Sequence, residues 1–493
     1  MSKNKLPIFL LALLLLPAAC NKDFLDRQPL NELTDGNYFQ TEQQAVLAVN
    51  GIYSILREWD CISFPYLGTT DIISDDADKG STPTDALYML EMDELTFNST
   101  NSAVEGAWRG YFKVIAASNL VLANLPNVEM PDATRARLAG EAKFLRAYSY
   151  FLLVQWFGDV PLITRPLGGS EYYTQTRRPK AEVFAQIEAD LADAIAGLPE
   201  KSKYPAADLG RVTKGAARGI LAKVYMVKKE FAKAEATLLE IVNSGEYSLL
   251  PKYSDNFLRV GENGAESVFE IQAVALEPEN GVTSPGATPY NMVQGVRGVP
   301  NLGWGFNRPS DNLVASYEVG DPRREATVIY VGEVLPDGTT IVQDNPEIIN
   351  ERFNQKAWVG SHPGLQDNGP GNIRVLRYSD ILLLLAEALN ENGKPADALV
   401  YLNQVRARAR GTNNFILPNV TVTDQSQLRE RIYKERRVEL AMEQHRWFDL
   451  LRWGRAAQVM TAVGKNFVAG KHELLPVPQA EVDLAGLPQN PMW

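Results

Sequence analysis

Apolar residues in this chain follow two rhythms. The first is an unbroken run from Leu6 to Leu16, preceded by Lys3 and Lys5 and followed by Pro17, Ala18, Ala19 and then Cys20. At about 11 residues the run is too short to span a bilayer, and with a charged stub before it and small residues after it, it reads as an export signal. The second rhythm is helical. In residues 214–242 (KGAARGILAKVYMVKKEFAKAEATLLEIV), Leu221, Ala222, Tyr225, Ala234, Leu238 and Ile241 occupy the large and small positions of a tetratricopeptide helix pair. Leu385, Ala386, Leu389, Ala398, Leu402 and Val405, in residues 378–409, repeat those positions 164 residues downstream. Residues 141–157 with 181–198 read as a degenerate pair split by a loop, and residues 41–57 with 107–125 as another. The pattern predicts a mainly α fold: a tetratricopeptide-like solenoid of about four pairs, stacked because no pair buries its apolar stripe alone.

A loop-rich insertion interrupts the helical pattern. Residues 251–373 are dense in Gly, Pro and Asn and carry Tyr290, Trp304, Phe306, Tyr330 and Trp358 in contexts such as GVRGVPNLGWGFNRPS. An irregular stretch this long is usually functional or disordered, and its aromatics argue against disorder. Short strands are predicted at residues 267–274 and 326–331. The layout is thus a signal peptide (1–19), an N-terminal helical region (20–250) with a ligand-side loop at 59–80, the insertion (251–373) as candidate ligand-binding region, and a C-terminal region (374–493) with the last helix pair.

Composition narrows the function. With 493 residues, 45% of them hydrophobic, the chain can bury a large core. The net charge of −11 becomes −13 once Lys3 and Lys5 leave with the signal. Such an acidic surface argues against nucleic acid, which demands clustered Lys and Arg. Cys20 stands where bacterial lipoproteins are cut and acylated, although Leu16 lies one place too early for the usual lipobox and plain secretion after Ala19 is the alternative. With Cys20 lipidated, Cys61 has no partner and is either a buried apolar residue or a free thiol.

Four motifs resemble the SusD/RagB family of outer-membrane nutrient-capture lipoproteins: FLRAYSYFLLVQWFGDVPLI (144–163), NIRVLRYSDILLLLAEALNENG (372–393), IYKERRVELAMEQHRWFDLLRWG (432–454) and HELLPVPQAEV (472–482). They occur in the family's order across nearly the whole mature chain, and NKDFLD after Cys20 is similar to the family's mature start. The altered lipobox is the one departure. The resemblance implies a cell-surface protein, lipid-anchored to the outer membrane, that passes an oligosaccharide to a SusC-like TonB-dependent transporter; peptide capture is the alternative within the family.

Physics gives the motifs mostly structural work. Val438, Met442, Trp447, Phe448 and Leu451 can supply apolar faces while Arg436, Arg437, Arg446, Glu439 and Asp449 pair charges around them. A catalytic role for Glu435, Glu439 and Asp449 would need them to face a cleft. A secreted hydrolase using Asp75 and Glu91 is the reading from a different class. His362, His445 and His472 are too scattered for zinc. The acidic loop SDDADKG (74–80) fails as an EF-hand, because Gly80 and Leu87 replace needed ligands, leaving a solvated loop or a polar ligand contact. No GxSxG, Walker or HExxH motif occurs, and neither an enzyme activity nor a cofactor is expected.

A glycan site needs aromatic planes for the C–H faces of sugar rings beside polar groups for their hydroxyls. Residues 59–79, with Trp59, Phe64, Tyr66, Asp71, Asp75 and Asp76, and residues 290–308, with Tyr290, Gln294, Arg297, Trp304 and Phe306, offer that mixture. The candidate ligand contacts are Tyr66, Asp71, Asp75, Asp76, Tyr290, Arg297, Trp304 and Phe306, with Trp304 equally readable as scaffold.

Overall fold

The computed structural model describes residues 39–274, 286–343, 351–360 and 369–493. The export segment, Cys20 and His362 lie outside the described residues. Thr41 opens α1 (Glu42–Leu56) with a capping box: its hydroxyl accepts from the Gln44 amide while the Gln44 side chain accepts from the Thr41 amide. Ala45, Val49, Ile52 and Leu56 then form one buried stripe. The other long helices are α2 (Ser102–Asn124), α3 (Asp132–Phe157), α4 (Lys180–Gly197), α5 (Lys214–Val227), α6 (Phe231–Asn243), α7 (Tyr378–Glu391), α8 (Pro395–Arg410) and α9 (Gln425–Glu439). Asn101, Thr213 and Asp424 cap α2, α5 and α9 through their side-chain oxygens.

The predicted pairs form. Helix α1 packs on α2, α3 on α4, α5 on α6 and α7 on α8, while α4 against α5 and α6 against α7 carry the stack forward. Ala222 and Ala234 are fully buried at the crossing of α5 and α6, and Ala386 and Ala398 at that of α7 and α8. One large position differs between the repeats, since Leu389 is buried but Tyr225 only half-buried. The mainly helical, tetratricopeptide-like fold is therefore as predicted.

Helix α3 starts nine residues earlier than the apolar pattern marks, at Asp132. Polar groups hold the added turns: the Arg135 guanidinium donates to the carbonyls of Leu125 at 2.6 Å and Val128 at 2.9 Å. The two helices also approach closely, so that a Cβ on Gly197 would lie 2.5 Å from the Ala136 carbonyl oxygen. Hydrophobic periodicity carries no signal for either contact.

Among the described residues eight short strands form four antiparallel pairs: β1 (Ala77–Gly80) with β5 (Phe306–Pro309), β2 (Val160–Pro161) with β3 (Arg177–Arg178), β4 (Ser267–Ile271) with β8 (Ile373–Arg377), and β6 (Val328–Tyr330) with β7 (Arg352–Asn354). Strands β4 and β6 fall inside the two predicted segments. The β4–β8 pair ties the start of the insertion to its end, and β8 runs directly into α7.

Buried charges bind the insertion to α8 and α9. Arg323, wholly enclosed, meets Asp321 at 2.8 Å, Glu435 at 2.6 Å and Glu439 at 3.1 Å. Arg377 meets Glu266 at 2.5 Å and Glu443 at 2.7 Å, and Lys356 meets Glu443 at 2.7 Å. Burial opposes ionisation of Glu443, but Arg377 and Lys356 outweigh it and bring its pKa down to about 2. Pairs this deep cost several kcal/mol when one partner is removed. Glu435, Glu439 and Asp449 are committed to such pairs, Asp449 with Arg436 at 3.0 Å.

Candidate ligand-binding surface

The β1–β5 pair joins the two segments whose composition suggested a glycan site. Ala77 stands opposite Pro309, Asp78 opposite Arg308 and Gly80 opposite Phe306. The Ser81 amide donates to the Gly305 carbonyl at 2.8 Å and the Ser310 amide to the Asp76 carbonyl at 2.9 Å, extending the ladder at both ends. The glycine-rich phrase before β5 folds on itself: a Cβ on Gly303 would lie 2.3 Å from the Met292 carbonyl oxygen, and one on Gly295 2.2 Å from that of Leu302. Only glycine fits such an approach, and the fold of this loop positions Trp304, whose amide donates to the Met292 carbonyl at 2.9 Å.

Six of the eight candidate contacts lie inside the protein. Tyr66, Tyr290 and Phe306 are buried rings. Asp71, at 0% exposure, accepts from the Gln444 side-chain amide at 2.6 Å, the Gln444 backbone amide at 3.1 Å and Asn307 at 3.1 Å. Burial raises its pKa to about 6 despite those donors. Asp75 takes a two-pronged contact from Arg446 at 2.7 and 2.9 Å and a third from Arg437 at 2.9 Å. Against the penalty of burial, these arginines hold the Asp75 carboxyl below its usual range. Asp76 is paired with Arg437 at 2.7 Å. The acidic loop is therefore not a solvated one: Asp75 and Asp76 anchor it to Arg437 within α9 and Arg446 just after it, while Asp78 pairs with Arg308 on β5.

A small aromatic surface is left above these anchors. Trp59, 39% exposed, lies 6.0 Å from Trp304, with the two planes tilted by 49°. Phe64 supports both, 5.4 Å from Trp59 and 6.0 Å from Trp304, and is itself braced edge-on by Phe306 at 4.6 Å. Half-buried Tyr88 adds a third face, 6.0 Å from Phe64. On the polar side, Arg297 forms an ion pair with Asp85 and donates to the Ser81 hydroxyl at 2.6 Å. The Lys79 ammonium donates to the carbonyls of Thr82 and Asp85, each at 2.7 Å, and sits 5.4 Å from the Phe306 ring. Of the predicted contacts, Trp304 and Arg297 border this surface and Phe306 lies beneath it. Tyr88 and Asp85 fall outside the segments marked by composition, and no local pattern singles them out.

The two described histidines, His445 and His472, serve structure. His445 is half-buried, 3.4 Å from the Lys223 ammonium, and desolvation with that neighbour pushes its pKa down to about 3. Burial and Lys471 bring His472 down to about 4. Among the described residues no three His, Cys, Asp or Glu side chains are grouped to hold a metal ion. Cys61 is fully buried, and burial pushes its thiol up, so it packs as an apolar side chain. Among the described residues no helix is long and apolar enough to cross a membrane.

Two family models match the chain, one described as the SusD family over residues 265–493 and one as starch-binding associating with outer membrane over residues 23–226. SusD-like protein P2 of Formosa agariphila is 27% identical over 517 aligned positions, covering 99% of this chain and 99% of that protein. A solved laminarin-binding SusD-like protein matches with a TM-score of 0.80 at 29% identity, covering 92% of this chain and 100% of its own. Surface glycan-binding protein A from Bacteroides thetaiotaomicron, solved in complex with laminarihexaose, matches with a TM-score of 0.76 at 26% identity and the same coverage.

Proposed function

The chain belongs to the SusD/RagB family, and from that premise we propose that it is a non-catalytic, cell-surface binding protein that captures an oligosaccharide for a SusC-like TonB-dependent transporter. The observation that carries this reading is the Trp59–Trp304 pair, part-exposed over a buried Phe64 and Phe306 base, with the part-exposed Arg297–Asp85 ion pair on the polar side. Flat rings held rigidly beside hydrogen-bonding groups suit a pyranose, whose C–H face stacks while its hydroxyls bond at the edge. Two similar solved proteins are named for laminarin and laminarihexaose, which makes a β-linked glucan the first ligand to try. Arginine-paired, buried Asp75 and Glu91, which accepts from Asn101 at 2.8 Å, are poorly placed as a hydrolytic pair, and this supports binding without cleavage. Cys20, acylated, would tether the body to the outer membrane.

The test is calorimetric titration of the mature protein with neutral oligosaccharides, laminarihexaose among them, followed by mass analysis of the recovered sugar. Saturable binding with intact sugar is expected. No binding to any glycan, or shorter products, would contradict the proposal.

A further inference from the structure

An open pocket of about 870 Å³, mouth included, lies between residues 291–302 and residues 354–360. None of Trp59, Phe64, Tyr88, Arg297 or Trp304 lines it. Met292, Val296, Leu302 and Ile329 give it apolar walls, and no charged side chain faces it among the described residues. Two lining residues, both more than nine-tenths buried, carry polar atoms that lack a partner: Nε1 of Trp358 and Oδ1 of Asn291. The orientation of the Asn291 amide follows from its nitrogen, which donates to the Ala357 carbonyl at 3.0 Å, so the orphan is an acceptor. The Trp358 orphan is a donor. Other indoles of this protein are satisfied: that of Trp156 donates to the Thr69 carbonyl, that of Trp453 to Glu387 and that of Trp493 to the Leu474 carbonyl. A buried donor and a buried acceptor left open beside an uncharged, partly apolar cavity call for a neutral molecule that supplies both complements.

We infer that this pocket is a second carbohydrate subsite that holds one neutral sugar residue. A sugar hydroxyl can accept from Trp358 Nε1, and another can donate to Asn291 Oδ1, while C–H groups of the ring meet the apolar wall. Of that space about 250 Å³ lies inside the pocket, room for a single small ring and no longer oligosaccharide. The choice of a sugar rests on the glycan-binding reading above, whereas the pocket's geometry does not depend on it.

Saturation-transfer NMR with methyl β-glucoside, β-galactoside and β-mannoside tests the inference on the mature protein and on three variants. Trp358→Phe keeps the ring and removes the donor; Leu302→Phe narrows the pocket from the opposite wall; Trp304→Ala alters only the exposed aromatic surface. Read in the Trp304→Ala background, which removes the share of the exposed aromatic surface, at least one glycoside should still bind and be weakened about fivefold or more by adding Trp358→Phe or Leu302→Phe. Should Trp358→Phe fail to fold, Leu302→Phe alone decides the matter. No glycoside signal, with oligosaccharide binding intact, would overturn the subsite and leave the proposed function standing. Sensitivity to Trp304→Ala alone would overturn it as well, by locating the sugar on the exposed rings. Loss of all oligosaccharide binding with a persistent, Leu302-sensitive glycoside signal would keep the pocket and refute the transport reading.

Discussion

Replacing Arg446 with Ala should release the acidic loop from the C-terminal block. Arg446 holds both carboxylate oxygens of Asp75, at 2.7 and 2.9 Å, and the Asp75 side chain is only 1% exposed. Removing one partner of a buried pair costs about 3–5 kcal/mol, because the other charge is stranded away from water. Arg437 remains 2.9 Å from Asp75, so the loss should sit near the lower figure, about 3 kcal/mol. If it falls on local opening, the opening equilibrium of residues 68–80 rises about 150-fold. Hydrogen exchange read by mass spectrometry would detect this as faster exchange there, with α7 and α8 unaffected. The sign with pH is fixed too. Asp75 is held below its ordinary range, so the pair stabilises the loop above that range and is lost as pH falls through the depressed value; the variant should lose that dependence. A double replacement, Asp75→Asn with Arg446→Met, should cost less than Arg446→Ala. Unchanged exchange in residues 68–80 of Arg446→Ala at neutral pH would refute the anchoring argument.

Three further outcomes are expected. Tyr66→Ala should lower the melting temperature, by truncating a buried ring at a cost of about 3–5 kcal/mol, while glycan affinity per folded molecule stays constant; a loss of affinity without destabilisation would return Tyr66 to the site. Folding favours the protonated form of Asp71, whose pKa rises from 3.8 to about 6, so its contribution is fully present below the lower value and lost as pH rises through the upper one. In urea unfolding, the stability of the wild type relative to Asp71→Asn should therefore fall by up to about 3 kcal/mol between pH 4 and pH 7, and a flat difference would contradict the buried-carboxyl argument. Cys20→Ala should yield protein that no longer fractionates with the outer membrane in cells lacking the transporter, and unchanged retention would refute the lipid anchor.

Local chemistry made the helix pairs legible. The 164-residue echo between Leu221 and Leu385 and between Ala234 and Ala398 marks the same crossings that the fold buries, because a helix pair writes its packing into its own periodicity. Strands β4 and β6 were legible from their own apolar and β-branched residues. The site was legible only as two segments. Their pairing through β1 and β5, some 230 residues apart, depends on backbone hydrogen bonds that no side-chain pattern announces. The burial of the acidic residues was not legible because their partners, Arg437 and Arg446, lie more than 360 residues away. An aspartate cluster read by itself looks solvated or ligand-facing; the arginines that enclose it belong to a motif whose own carboxylates already seemed sufficient. Tyr88 and Asp85 gain their place only from the loop that brings them beside Phe64 and Arg297.

The central claim is that Trp59 and Trp304 hold the ligand, and titration of a bound oligosaccharide into Trp59→Ala and Trp304→Ala tests it most directly. Losing one stacking ring should remove about 1–3 kcal/mol of binding, a 5- to 150-fold rise in Kd, with the melting temperature close to wild type because both rings are part-exposed. Unchanged affinity in both folded variants, or a sharp fall in melting temperature with affinity per folded molecule intact, would contradict the account and make the pair scaffold.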